Sequence, residues 1–232
     1  MRMAIVAILL AAAFSWLSFR LYKWLRWLFA SRKQRLGRFG EEIVAKRLRD
    51  GLPSEYEVIN HIYLPLPSGG TTEIDHVVVS RYGIFVIETK TCSGILHCSP
   101  QAKNWRQKLV GRNTKMPNPL EQNAFHARAL SKCLWLPHNW FRSIVAVTGE
   151  GTMIGDIPPN MMYSMSLADY ILGVERPIMP QSRVKLIADA IRDWQNLLEK
   201  DISKQHIAYV RQKRRTRTRN SARYCAEKEN ML

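Results

Sequence analysis

Two runs rich in β-branched and aromatic residues, Thr72 to Val79 and Tyr82 to Lys90, are separated only by Ser80-Arg81. That adjacency constrains the fold more than any other feature. Val, Ile and Phe suit pleated, buried surfaces, and so short a connection joins strands that lie side by side and antiparallel. The pair is expected in the core, yet it carries Glu73, Asp75, Glu88 and Lys90. Side chains alternate faces along a strand, so Glu88 and Lys90 project together, and Glu73 and Asp75 share a face of the neighbouring strand. Three carboxylates and an amine inside a sheet are costly unless they pair with one another or bind a cation. The spacing alone leaves two readings open, because ion pairs across a hairpin produce the same letters as a metal-dependent hydrolytic site.

Around this hairpin the pattern alternates between helix and strand. Glu42 to Leu48 has apolar residues at helical spacing and ends at Asp50-Gly51-Leu52-Pro53, a helix stop. Tyr56 to Leu64 reads as a strand, with the turn cluster Pro67-Ser68-Gly69-Gly70 before the next. Ile95 to His97 and Trp105 to Val110 suggest short strands, Glu121 to Leu134 a helix, and Ser143 to Thr148 a buried strand. Val184, Leu186, Ile187, Ala190, Ile191, Trp194, Leu197 and Leu198 outline an amphipathic helix. The order is α, three or more β, α, β, α, an α/β chain of one domain between unusual ends.

At the amino end, Met3 through Phe19 carry no charge. At ~1.5 Å per residue a helix of about 17 residues spans ~26 Å, enough for a bilayer core if its ends snorkel. Trp16, Trp24 and Trp27 supply the residue type that settles at headgroup level, and Arg20, Lys23, Arg26, Arg32, Lys33 and Arg35 follow the run whereas only Arg2 precedes it. The positive-inside rule then leaves the rest of the chain in the cytoplasm. A cleaved signal peptide is the competing reading, with Ala11, Ala12 and Ala13 as small residues, but its leading region is weakly basic. The expectation is a single-pass anchor over residues 1–30 in the cell inner membrane, a folded domain over 37–200 and a basic tail over 203–232.

Lys and Arg number 35 against 19 Asp and Glu, a formal charge of +16. Such an excess calls for a polyanion or an anionic surface, and both nucleic acid and lipid qualify. Arg211, Lys213, Arg214, Arg215, Arg217 and Arg219 lie among polar residues with little to bury, so this tail is expected to be disordered and to contact nucleic acid. Cys92, Cys98, Cys133 and Cys225 are too irregularly spaced for a disulfide framework or a metal knuckle and read as free thiols. There is no Gly-x-x-x-x-Gly-Lys phosphate loop and no dinucleotide fingerprint.

If the hairpin site does bind a cation, Asp75, Glu88 and the Thr89 carbonyl offer the oxygen ligands that a hard divalent ion takes. Lys90 would then stand beside the attacking water and the scissile phosphate, suited to phosphodiester hydrolysis. Five blocks together resemble the nuclease-related domain family: Gly37-Arg38-Phe39-Gly40-Glu41; Glu73 to Val79; Gly83 to Lys90 followed by Gly94; Trp105; and Asn118-Pro119-Leu120-Glu121-Gln122. They occur in the family's order, with a motif core over 37–136. The resemblance implies the fold of the PD-(D/E)XK phosphodiesterases, a restriction-endonuclease-like mixed sheet of about four core strands flanked by helices, with the site where the central strands diverge.

The same resemblance implies that Glu41, on the first helix, joins Asp75 and Glu88 as a ligand of Mg²⁺ or Mn²⁺. Glu88 and Lys90 match the Glu-x-Lys of the third strand, and Gln122 the polar helix residue that follows the core strands. Ile74 stands where the superfamily has Pro, and Thr89 replaces the more usual Val; neither change removes a ligand. Glu42 reads as an exposed helix position and Glu73 as an ion-pair partner of an arginine. His76 is expected on the face opposite Asp75 as a packed, hydrogen-bonded histidine, Trp105 in the core, and Trp135, Trp140 and Phe141 in a packed loop.

The function expected is that of a membrane-anchored, Mg²⁺-dependent nuclease acting on nucleic acid, with DNA favoured over RNA. A tethered nucleic-acid-binding protein without hydrolysis and a lipid-associated scaffold are the alternatives. Oligomeric state is not readable from the sequence.

Overall fold

The computed structural model describes Arg20, residues 34–66 and residues 70–198. Apart from Arg20, the expected anchor over 1–30 lies outside the described residues, as does the basic tail over 203–232 with Cys225. Among the described residues no helix is long and apolar enough to cross a membrane.

In chain order the elements are α1 (34–51), β1 (Glu57–Pro65), β2 (Thr71–Ser80), β3 (Gly83–Thr91), β4 (Ile95–Cys98), β5 (Asn104–Leu109), β6 (Arg112–Pro117), α2 (Pro119–Leu134), β7 (Phe141–Thr148), β8 (Thr152–Gly155), β9 (Met161–Tyr163), α3 (Leu167–Leu172) and α4 (Gln181–Leu198). The expected hairpin is β2–β3. Its pairing begins at Ser80 opposite Gly83, so the two loop residues are Arg81 and Tyr82, and Tyr82 N–H donates to Ser80 Oγ at 3.1 Å to close the turn. The central sheet runs β1-β2-β3-β7-β9, antiparallel over its first three strands and parallel from β3 to β9.

Alternation along the strands divides the core by face. Val77, Val79, Ile84 and Val86 pack under α2 and α4, against Ala127, Leu130, Val184 and Ile191. Val78, Phe85, Ile87, Ile144 and Ala146 face Val44 and Leu48 of α1 and Leu167 and Ile171 of α3. Burying each such aliphatic side chain stabilises by about 1.5–3 kcal/mol, and that is what lets β3 carry Glu88 and Lys90 immediately beyond a run of buried residues. Gly40 sets the approach of α1: a Cβ there would stand 2.0 Å from Thr91 Oγ1 and 2.8 Å from Thr148 Oγ1. Only a glycine lets the helix lie this close to the ends of β3 and β7, with Glu41 as the next residue.

Asn123 ties α2 to the sheet. It is fully buried, and its Nδ2 donates to Val86 O and Ile144 O, each at 2.8 Å, bridging β3 and β7. Loss of two buried hydrogen bonds costs roughly 1–3 kcal/mol, so Asn123→Ala is expected to lower the urea midpoint by that much stability. An unchanged midpoint would show the bridge to be dispensable.

Several sequence expectations need revision. A second sheet of four strands, ordered β6-β5-β4-β8, stands beside the first. Its strands β6 and β8, like β9 and α3, are short and weakly patterned and were not anticipated. Trp105 is 1% exposed, beneath this second sheet as expected, among Leu96, Val145 and Val147. Trp135 is not packed: it caps α2 in the left-handed conformation, 93% exposed, while Phe141 is buried at the start of β7. On α4 the buried stripe is Val184, Ile187, Ala188 and Ile191, whereas Leu186 and Ala190 face outward. Positions 186 and 190 lie off the 3.6-residue stripe that begins at Val184.

Candidate active site

The pairing of β2 with β3 stops at His76 opposite Ile87. β1 stays paired with β2 as far as Thr71, and β3 stays paired with β7 through Thr91, so a gap opens between the two central strands. Asp75 and Glu88 stand at its mouth. The Thr89 N–H, free of a ladder partner here, donates to Asp75 Oδ2 at 2.7 Å. The backbone of one strand thereby fixes the carboxylate of the other.

Glu88 is 3% exposed. Its Oε1 accepts from the Lys90 ammonium and from Gln122 Nε2, the latter at 2.7 Å, and Lys90 also donates to Gln122 Oε1 at 3.2 Å. Glu88, Lys90 and Gln122 therefore form a closed triangle between β3 and the first turns of α2. Glu88 Oε2 faces His126 Nδ1 at 3.4 Å, but both atoms are buried without a hydrogen bond. His126 lies one helical turn beyond Gln122 on the same face of α2, with its Nε2 3.1 Å from Thr72 Oγ1.

Glu41 reaches the same region from α1. Its Oε2 lies 3.8 Å from His61 Nδ1, which is also 3.5 Å from Glu73 Oε1. Glu73 also accepts from the Tyr63 hydroxyl at 3.2 Å. His61 is in the left-handed region, at φ 55°, within a strand, which turns its ring toward the acidic group. Glu42 is exposed.

Electrostatics separate the carboxyls. Burial and then the nearby Glu88 charge push Asp75 well above the ordinary range, against the opposing pull of the Thr89 N–H. Burial also disfavours charge on Glu88, but Lys90 and the His126 ring outweigh it and hold that carboxyl below its usual value. Glu41 is raised by burial and by Glu73. Lys90 stays charged, since Glu88 overcomes the effect of burial and raises its pKa. On the opposite face, His76 is fully buried, with Nδ1 2.8 Å from Asn60 Oδ1 and Nε2 3.1 Å from Thr89 Oγ1. This is the hydrogen-bonded histidine the alternation predicts.

Among the described residues no group of three or more His, Cys, Asp and Glu side chains is close enough to enclose a metal as it stands. The donor chemistry nonetheless suits a hard divalent cation: Asp75 is made protonation-prone by burial and then by a neighbouring carboxylate, and Glu88 Oε2 is a buried oxygen without a hydrogen bond, 3.4 Å from His126 Nδ1. Carboxylates that repel one another are the groups a cation would relieve.

A family model described as the nuclease-related domain matches residues 36–148. That span holds Glu41, Asp75, Glu88, Lys90 and Gln122. Residues 36–148 form a nuclease-related domain. An uncharacterised protein of Bacillus anthracis is 27% identical over 184 residues, covering 76% of this chain and 84% of that protein. The mixed sheet flanked by helices is consistent with the PD-(D/E)XK superfamily.

Within the nuclease-related domain the structure brings Asp75, Glu88, Lys90 and Gln122 together and sets Glu41 at their edge. The expected nucleic-acid contacts from Arg211 to Arg219 lie outside the described residues. Sequence reasoning missed His126 and His61. The first could have been found from its helical spacing to Gln122; the second has no local signal, since its role depends on one left-handed residue in β1. Cys92, Cys98 and Cys133 are free thiols, and Cys92 and Cys98 are pushed up to about 11 by burial.

Proposed function

We propose that the chain is a membrane-anchored, divalent-metal-dependent nuclease that hydrolyses phosphodiester bonds, with DNA as its substrate. The observation that carries this reading is the gap between β2 and β3, where Asp75, Glu88 and Lys90 converge from strands that are otherwise core. A structural ion pair would account for Glu88 and Lys90, but it would not account for Asp75 held by the Thr89 amide at the same gap, or for the second Glu88 oxygen, buried without a hydrogen bond.

Asp75 and Glu88, with Glu41 from α1, would hold Mg²⁺ or Mn²⁺. When bound, the cation would supply Lewis-acid polarisation of the phosphate and favour deprotonation of the attacking water. Lys90, kept charged by Glu88, is placed to stabilise negative charge developing on the phosphate. Gln122 orients both partners of that pair. Asp75 needs its proton removed to serve as a ligand, so metal affinity is expected to weaken on acidification. The arrangement proposed for the whole chain is an inner-membrane anchor over 1–30, the catalytic domain over 37–200 on the cytoplasmic side, and a basic tail over 203–232 that contacts nucleic acid through Arg211, Lys213, Arg214, Arg215, Arg217 and Arg219.

The test is cleavage of linear, circular and single-stranded DNA and of RNA by the full chain in Mg²⁺, Mn²⁺ or EDTA, with Lys90→Ala alongside. Metal-dependent cleavage that falls by about 10²–10³ in the variant is expected, the size seen when one donor to developing charge is removed. Salt-sensitive binding with no cleavage on any substrate or metal would instead make the protein a tethered nucleic-acid-binding protein.

A further inference from the structure

Between Glu88 and Glu121 the chain contains no carboxylate, yet it holds Lys90, Lys103, Arg106, Lys108, Arg112 and Lys115. Residues 95–117 of this segment build the β6-β5-β4 part of the second sheet. Alternation sends Leu96, Cys98 and Trp105 inward onto Val145 and Val147, and the cations outward. Register then aligns them: Lys115 lies opposite Arg106, and Arg106 opposite His97, while Asn113 lies opposite Lys108. Together with Thr114 these residues line a groove of about 430 Å³.

Like charges directly opposite one another destabilise a sheet, so a row of this kind is retained against a cost that an anionic ligand would remove. Arg106, Lys108 and Lys115 are exposed, and none forms an ion pair with a described residue. Glu150 and Asp156 flank β8, the edge strand on the opposite side of the sheet from β6. The sheet is also anchored to the catalytic helix. Asn118, the N-cap of α2, donates its Nδ2 to Pro100 O at 2.8 Å and Ala102 O at 3.0 Å, and its N–H to Lys103 O. The basic face is thereby fixed next to the turn that carries Gln122.

We propose that this outward face is a seat for the sugar–phosphate backbone of nucleic acid, gripped by Arg106, Lys108 and Lys115. It rests on the nuclease reading for the identity of the polyanion, and it places a rigid contact inside the folded domain, separate from the basic tail. Trp105, the aromatic residue of these strands, is buried beneath them, so the face presents charge and hydrogen-bond donors without a stacking platform. Contacts of that kind position a strand and carry no base sequence.

The experiment compares the full chain with Arg106→Gln/Lys108→Gln/Lys115→Gln, and with the corresponding triple Glu variant, for binding to a fluorescent DNA duplex and its single strand across salt concentration. Each phosphate contact contributes about 0.9 to the slope of log affinity against log salt on duplex DNA, so losing three should flatten the slope by about 2.7. Duplex affinity in low salt should fall at least tenfold, with an unchanged melting temperature. The Gln variant guards against misfolding from charge reversal. An unaltered slope and affinity, a wild-type chain that binds neither DNA form, or a loss confined to vesicles of anionic lipid would overturn the proposal. Binding that weakens as expected in a chain that never cleaves would retire the nuclease reading and leave this seat standing.

Discussion

Glu88→Ala is expected to abolish DNA cleavage and also to cost about 3 kcal/mol of folding stability, the size seen when one partner of a buried ion pair is removed. The variant leaves Lys90, whose side chain is 19% exposed, with only Gln122 and the raised Asp75 for partners. The double variant Glu88→Ala/Lys90→Met should recover most of the lost stability, because an apolar chain of similar length tolerates the same surroundings. It should recover no cleavage. Urea midpoints and cleavage rates measured on the parent and these two variants separate the two roles. If Glu88→Ala folds as stably as the parent, the ion pair is not what fills this part of the core. If the double variant cleaves, the chemistry lies elsewhere.

That separation matters because the sequence shows Glu88 and Lys90 only as letters two apart. Their spacing predicts a shared face, and the buried run before them predicts a costly location; both inferences hold. What alternation does not reveal is that the ladder ends at His76 and Ile87, so that Asp75 meets the Thr89 amide where continued pairing would place a backbone carbonyl. Divergence of this kind comes from how β1 and β7 hold their own neighbours, and no local pattern encodes it. The second sheet was legible only in fragments for a related reason. Its strands are short, one face is solvated, and Arg112 to Pro117 offers little beyond polar alternation, so tertiary contact with Val145 and Val147 decides its structure. Asn123 illustrates the converse: its helix is plain from the sequence, but a buried asparagine bridging two parallel strands is visible only once β3 and β7 are placed side by side.

The back of the same strands supplies the second large effect. His76 Nδ1 donates to Asn60 Oδ1, which leaves Nε2 to accept from the Thr89 hydroxyl. The ring is thus held neutral, and burial, with a smaller push from His61, lowers its pKa to about 3. In the unfolded chain the ring titrates near 6.5. Between those values the unfolded state binds a proton that the folded state refuses, so stability rises with pH and is lost as pH falls from 6.5 toward 3, by about 1.4 kcal/mol per pH unit. The slope is half-maximal at about 6.5 and fades roughly one pH unit above it. His76→Gln cannot take up the proton, so its stability should fall less steeply on acidification, the difference in loss amounting to about 2.3 kcal/mol between pH 6.5 and 4.5. Urea titrations of both proteins in EDTA read this difference whatever the variant costs at neutral pH. Parallel slopes would mean that His76 takes up its proton without unfolding, and that the contact tying Thr89 to Asn60 through this ring yields in acid before the domain does.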